Sequence, residues 1–236
     1  MLFFREYFGA ALTVRIYKKF GSGAMDIAKS NPYRLCDEVE GIGFEKADRF
    51  ASSLGVDPES GERLMSGVAY ILSSNAAQNG HVCLPRDKLV PAAAQLLRTD
   101  AEKIDRAVAA QLKAGKLVCR RFSGVDYLYT AADDRTEQYI ADKLRLLDRL
   151  CPAVDGGDVQ SFIRREEQEV GMSYATGQKK AIFDALCHGV MILTGGPGTG
   201  KTTVVHALIR IFDSMGMKIA LAAPTGRAAK RLSEST

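Results

Sequence analysis

Residues 195–202 read Gly195-Gly196-Pro197-Gly198-Thr199-Gly200-Lys201-Thr202, with the apolar run Val190-Met191-Ile192-Leu193 before them and a helical pattern from about Lys201 to Met215 after them. A short apolar strand, a glycine turn and a helix in this order constrain the fold to a parallel α/β sheet, because such a strand is buried on both faces. The glycines let the chain wrap inward, so that successive N–H groups and the positive end of the helix converge on phosphate oxygens. Lys201 is placed to reach the β- and γ-phosphates, and the Thr202 hydroxyl to complete the coordination of Mg²⁺, with Thr203 beside it in the first turn. The loop is therefore expected to hold a nucleoside triphosphate with Mg²⁺.

The residues on either side narrow the class. A second apolar run, Lys218 to Ala223, predicts another strand, leading into Pro224-Thr225-Gly226-Arg227-Ala228-Ala229-Lys230-Arg231-Leu232. Thr225, Gly226 and Arg227 offer a hydroxyl, an amide and a charge to a phosphodiester backbone. Upstream, Tyr174-Ala175-Thr176-Gly177-Gln178 opens a helix with Thr176 as expected N-cap. Gln178 carries a carboxamide that donates and accepts at once, as an adenine edge requires.

Together Gln178, Gly195 to Thr202 and Pro224 to Leu232 resemble the Q-motif, motif I and motif Ia of superfamily 1 helicases, and most closely the RecD-like group with a long N-terminal extension. The resemblance implies ATP-driven 5′ to 3′ translocation on single-stranded DNA. It also implies single-stranded DNA and single-strand/duplex junctions as partners, a nucleotide site formed by Gln178 and Gly195 to Thr203, and Lys201 and Thr202 as the catalytic contribution of this stretch.

The first sixty residues repeat at an offset of 34, pairing Gly9 with Gly43, Arg15 with Arg49, Ile16 with Phe50 and Gly21 with Gly55. In the second copy the pattern predicts a helix over 33–39, a tight turn at Glu40-Gly41-Ile42-Gly43 and a helix over 44–54, with Ala47 and Ala51 inward. This looks like a helix-hairpin-helix motif, in which Gly41 and Gly43 turn amides toward a DNA phosphate with Lys46 nearby. An architectural role for the hairpin is equally open. The first copy carries Tyr7 where the hairpin glycine belongs, so it reads as a structural mate.

Residues 61–132 have the pattern of a winged helix. A helix from about Arg63 to Asn79 leads into a short edge strand ending at Pro85. Arg86 to Leu97 makes a second helix, and a third opens on a capping box at Thr99-Asp100-Ala101-Glu102 and ends at Gly115. A hairpin then runs over Lys116–Phe122 and Asp126–Thr130 across Ser123-Gly124-Val125. Lys113, Lys116, Arg120 and Arg121 put positive charge near this wing, as a solvated surface or a duplex contact. A charged helix from Asp133 to Leu150 and a linker at 151–158 connect it to 159–236, where Val159 to Val170 reads as a surface helix. The expected domains are thus 1–60, 61–132, a connector 133–158, and 159–236. The expected fold is mixed: an α-helical tandem helix-hairpin-helix and winged-helix-like N-terminal region followed by the start of a RecA-like α/β P-loop motor domain.

At 236 residues with a net charge of +4, the chain is only mildly basic. No apolar run approaches the ~20 residues of a membrane helix, so no membrane partner is expected. Five dispersed cysteines without a C-x-x-C pair point to reduced thiols in the cytoplasm rather than metal ligation. The chain stops just after the second cationic turn, before any Walker B acid or arginine finger, and reads as a piece of a longer helicase without unwinding activity of its own. By the family resemblance the Walker B strand lies between the two strands present, which would otherwise expose unpaired backbone groups. A non-enzymatic DNA-binding module, or another P-loop ATPase such as a clamp-loader type or a conjugative relaxase-helicase, remains open at this level; protein partners are unknown.

Overall fold

The computed structural model describes residues 2–152 and 155–234, which fall into two compact units, Met1–Gln138 and Tyr139–Thr236. The first begins with α1 (Leu2–Phe20), a helix interrupted at Gly9, whose φ of 74° and ψ of 173° turn the chain between two helical segments. A 3-10 turn at Gly21–Gly23 leads to α2 (Ala24–Ser30), α3 (Arg34–Glu38) and α4 (Phe44–Ser53). The repeat is visible in three dimensions. Ile16 and Phe50 are both fully buried, and Gly21 and Gly55 share a left-handed backbone with φ of 62° and 73°. It fails at the hairpin glycines, for Gly9 is left-handed while Gly43 is extended at φ −85°. Phe50 fills the centre of the packing, with the rings of Tyr7 and Phe8 at 5.3 and 5.2 Å. Tyr7 therefore serves the core where a second hairpin glycine would have left a gap.

The winged portion consists of α5 (Gly61–Asn79), β1 (Cys83–Pro85), α6 (Arg86–Leu97), α7 (Ala101–Lys113), β2 (Leu117–Phe122) and β3 (Val125–Thr130). Its sheet has the order β1-β3-β2, antiparallel throughout, with Cys83 opposite Tyr129 and Phe122 opposite Val125. Two expectations are corrected here. The hairpin loop has two residues, Ser123 and Gly124, at φ 48° and 82°; both are left-handed, the geometry that matches strand twist, and this pulls Val125 into the ladder. The N-cap position of α7 is Asp100, with no side-chain cap bond, rather than Thr99, whose N–H closes the end of α6 on Ala94 O.

Polar groups join the hairpin unit to the wing. Arg63 donates to both carboxylate oxygens of Asp48 at 2.8 and 3.0 Å, and to the carbonyls of Pro58 and Leu97. Tyr33 adds its phenol to Asp48 at 2.7 Å, and burial, then that bond, push the phenol well above its ordinary pKa, so it stays a donor. The wing arginines are engaged too. Arg120 forks onto Asp134 at 2.8 and 2.9 Å, and Arg121 lies 3.3 Å from Asp126, so these two arginines of the positive patch read from the sequence are paired with carboxylates.

The helix α8 (Ala131–Leu150) runs from the first unit into the second, which adds α9 (Gly156–Val170), α10 (Thr176–Cys187), α11 (Lys201–Ser214) and α12 (Gly226–Glu234). Val159, Ile163, Tyr174, Ile182, Leu186, Val204, Ala207 and Ile211 form its core. Helix α9 starts three residues earlier than expected, because Asp155 caps it by accepting from Gly157 N at 2.8 Å. It is a surface helix whose one buried face is Val159, Ile163 and Glu166. The predicted strands at 190–193 and 218–223 are corrected as well: neither forms a ladder among the described residues, and Ile192 is 83% exposed. A strand persists through its pairing, and neither segment is paired in a ladder among the described residues.

Gly189 supplies a test of the second unit. Its N–H donates to Asp148 Oδ1 at 3.0 Å, and a Cβ there would lie 2.2 Å from the Leu147 carbonyl oxygen. That neighbour is backbone and cannot rotate away. Gly189→Ala is expected to destabilise this unit by about 1–3 kcal/mol, the usual range for overpacking, in urea unfolding.

Candidate nucleotide-binding site

The phosphate loop joins the end of the 190–194 segment to α11. Gly198 and Gly200 take φ of 76° and 80°, a region that other residues enter only with strain, and Gly200 is the N-cap of α11. Thr199 Oγ1 donates to Gly196 O at 2.9 Å, and a Cβ on Gly195 would lie 2.7 Å from that hydroxyl oxygen. A side chain at 195 would displace the Thr199 hydroxyl from this bond. Lys201 Nζ donates to the carbonyls of Gly195 and Gly196, both at 2.6 Å, which holds the ammonium against the inner side of the turn. Residues 195–199 are exposed, Thr202 is exposed in the first helical turn, and Thr203 follows, half-buried.

Gln178 stands beside this loop. A Cβ on Gly200 would lie 2.2 Å from Gln178 Nε2, so the amide rests where a side chain at 200 would be. Its Oε1 accepts from Ala175 N at 3.0 Å, which makes Ala175 the N-cap of α10 and Thr176 its first residue, a correction to the expected cap. Gln178 and Gly195 to Thr203 are thus gathered into one place. Thr225 caps α12, its hydroxyl accepting from Ala228 N at 3.3 Å, with Gly226 first in the helix and Arg227 exposed. Gly41, Gly43 and Lys46 belong to the first unit, exposed at the start of α4. Gly41 has a structural reason to be glycine: its φ is 91°, and a Cβ would sit 3.1 Å from Leu12 Cδ2 and 3.2 Å from Arg15 Nη1. Gly43 has none, since a Cβ there would meet nothing within 4 Å.

Sequence reasoning missed a set of polar side chains behind the loop. Glu166 is 3% exposed; it accepts from Arg210 Nε at 2.5 Å and from the Tyr174 phenol at 3.2 Å. Glu167, next to it, accepts from Tyr174 N at 2.6 Å, Ser173 Oγ at 2.9 Å and Lys179 Nζ at 2.8 Å. In the sequence these acids sit in the run Arg164-Arg165-Glu166-Glu167, which carries no hint of partners up to 44 residues away.

The Lys179 bond first, then those to the Tyr174 amide and the Ser173 hydroxyl, hold the Glu167 carboxyl down to about 2, against an ordinary value of 4.5. A depressed acid stabilises the fold above its ordinary value and ceases to do so as pH falls toward the folded one. The urea midpoint of the second unit is expected to drop between pH 4.5 and 2, and Glu167→Gln to flatten that drop.

Residues 1–83 match a family model described as the ATP-dependent RecD2 DNA helicase HHH domain, and residues 178–236 match one described as an AAA domain. Across 97% of its length the chain is 31% identical to the ATP-dependent RecD2 DNA helicase of Deinococcus radiodurans. The chain belongs to the RecD-like helicases. This RecD-like chain is also 49% identical over 42% of its length to the RecBCD enzyme subunit RecD of Mycobacterium tuberculosis, and 37% identical over 48% of its length to that of Haemophilus influenzae. It spans 33% of the Deinococcus protein and 17% and 18% of the other two. Its helical N-terminal region with the small sheet, followed by the phosphate loop and its helices, fits the start of a RecA-like domain. No helix among the described residues of this RecD-like chain is long and apolar enough to cross a membrane.

Proposed function

We propose that the chain takes part in ATP-dependent DNA unwinding, moving 5′ to 3′ along single-stranded DNA from single-strand/duplex junctions in the cytoplasm. The observation that carries this reading is the exposed phosphate loop with Lys201 Nζ drawn to its inner side. A polyphosphate suits such a turn: its N–H groups and the start of α11 favour negative charge, and the ammonium adds a full cation. Gly195 to Thr203 hold the phosphates, Thr202 offers its hydroxyl to Mg²⁺, and Gln178 meets the base. When bound, ATP with its metal supplies the free energy of translocation. Lys201 and Thr202 bind and orient, which is where this stretch contributes to catalysis.

DNA contact is assigned to two helix starts. At one, Gly43 leaves open space above the backbone while Lys46 adds charge a turn later, and Gly41 shapes the hairpin. At the other, Thr225, Gly226 and Arg227 open α12, and a Thr225 hydroxyl that accepts from Ala228 N still has a proton to donate. Both contact phosphates without reading sequence. The wing is a weaker candidate because Arg120 and Arg121 are paired internally.

The test is titration with fluorescent ADP and Mg²⁺, together with unwinding of 5′-tailed and 3′-tailed duplexes by the intact protein. Saturable nucleotide binding and preference for the 5′-tailed substrate are expected; a chain without a saturable signal is no nucleotide-driven motor. Lys46→Glu should weaken single-stranded DNA binding and flatten its salt dependence by about one counterion.

A further inference from the structure

Gln178 can read a base only if it keeps its place relative to the phosphate cup, yet its own side chain is tied by a single bond to Ala175 N. What fixes the segment before it lies on α9. Glu167 grips it from the outside, taking the Tyr174 N–H, the Ser173 hydroxyl and the Lys179 ammonium of α10. Glu166 grips it from the inside, taking the Tyr174 phenol, and it extends the grip to Arg210 on α11, the helix that leaves the phosphate loop. Arg210 Nη2 also reaches the Tyr174 phenol at 3.5 Å. Two neighbouring carboxylates thus join three elements: the helix behind, the strap that carries Gln178, and the helix that carries Lys201.

We infer that Glu166 and Glu167, with Tyr174, Lys179 and Arg210, are positioning residues that set the base-reading carboxamide of Gln178 against the phosphate loop, and so determine which nucleobase is accepted. The inference rests on the proposed nucleotide site and deepens it. None of these five groups needs to touch the nucleotide. Their bonds are charge-assisted or buried, the classes that hold geometry best. Displacement of a binding group by about 1 Å is enough to remove a directional hydrogen bond, whereas the phosphate cup of main-chain amides is built locally and should survive.

The experiment compares the affinities of fluorescent ATP and GTP analogues, with Mg²⁺, for the intact protein and its Glu167→Ala, Tyr174→Phe, Gln178→Ala and Lys201→Ala variants. Lys201→Ala should lose both nucleotides, and Gln178→Ala should lose only the preference for adenine. Glu167→Ala is expected to behave like Gln178→Ala, lowering the ATP-over-GTP preference at least fivefold while GTP affinity stays within twofold. Tyr174→Phe, which removes one hydroxyl and keeps the core ring, is the milder second variant and should lower the preference two- to threefold. The inference is overturned by an unchanged preference in both variants, or by equal loss of ATP and GTP affinity, as a merely structural role would give. A wild-type protein that binds both nucleotides without preference overturns it too, and leaves the phosphate site standing; failure of all nucleotide binding overturns the site itself.

Discussion

Lys201→Ala is expected to weaken binding of an ATP analogue about a hundredfold or more. Among the described residues the ammonium is the full cation that bonds hold within the turn, at 2.6 Å from each of two loop carbonyls. Charge-assisted hydrogen bonds contribute about 1.5–3 kcal/mol each, and losing two of them to phosphate oxygens removes at least ~3 kcal/mol, two decades in Kd. Stability should hardly suffer, because Lys201 caps nothing in the core. The check is fluorescence titration of wild type and variant at matched Mg²⁺, with circular dichroism to show that α11 persists. Retention of affinity within threefold would mean that the loop amides alone carry the site.

The largest expected effect on stability lies elsewhere, at Arg63. Its guanidinium and the Asp48 carboxylate are 15% and 21% exposed, and Arg63→Ala would strip Asp48 of both forked bonds and leave the Pro58 and Leu97 carbonyls without their donor. Removing one partner of a fully buried pair costs about 3–5 kcal/mol, and the residual exposure here brings the figure to about 2–3 kcal/mol. For a unit of this size that is a fall in Tm of roughly 7–10 °C. Arg106→Ala is the control. Arg106 also meets an acid, Glu102, but the two are 72% and 78% exposed, so its removal should move Tm by less than 2 °C, about the worth of a surface pair. Equal shifts in the two variants would show that the network around Asp48 is no more than a surface decoration.

The contrast between the two arginines also explains what was readable in the sequence. Local signals served well: α6 begins and ends where its apolar spacing and Pro85 put it, the turn at 40–43 needs the glycine at 41, with its φ of 91°, and the glycine loop could be read from eight adjacent residues. Pairings across the chain did not show. Nothing near Arg63 announces Asp48 fifteen residues before it, nothing near Glu166 announces Arg210, and Arg120 looked like surface charge until Asp134 was seen beneath it. The capping residue of α7 was misread because Thr99 was already engaged in closing α6, a tertiary competition that a four-residue motif does not encode. At the candidate site the glycine loop was legible, and the bonds from Glu166 and Glu167 to Ser173, Tyr174, Lys179 and Arg210 were not. The two strands were misjudged for a different reason: their composition is that of buried β-structure, but composition supplies no neighbour to pair with.

That last feature governs how the chain will behave on the bench. Ile192, Met217, Ile219 and Leu221 stand 83%, 51%, 39% and 45% exposed on stretches of strand-forming sequence without a ladder. Such stretches recruit one another in concentrated solution, so preparations of this chain should turn cloudy as concentration rises and clear with Ile192→Lys, which puts a charge in the stickiest of them.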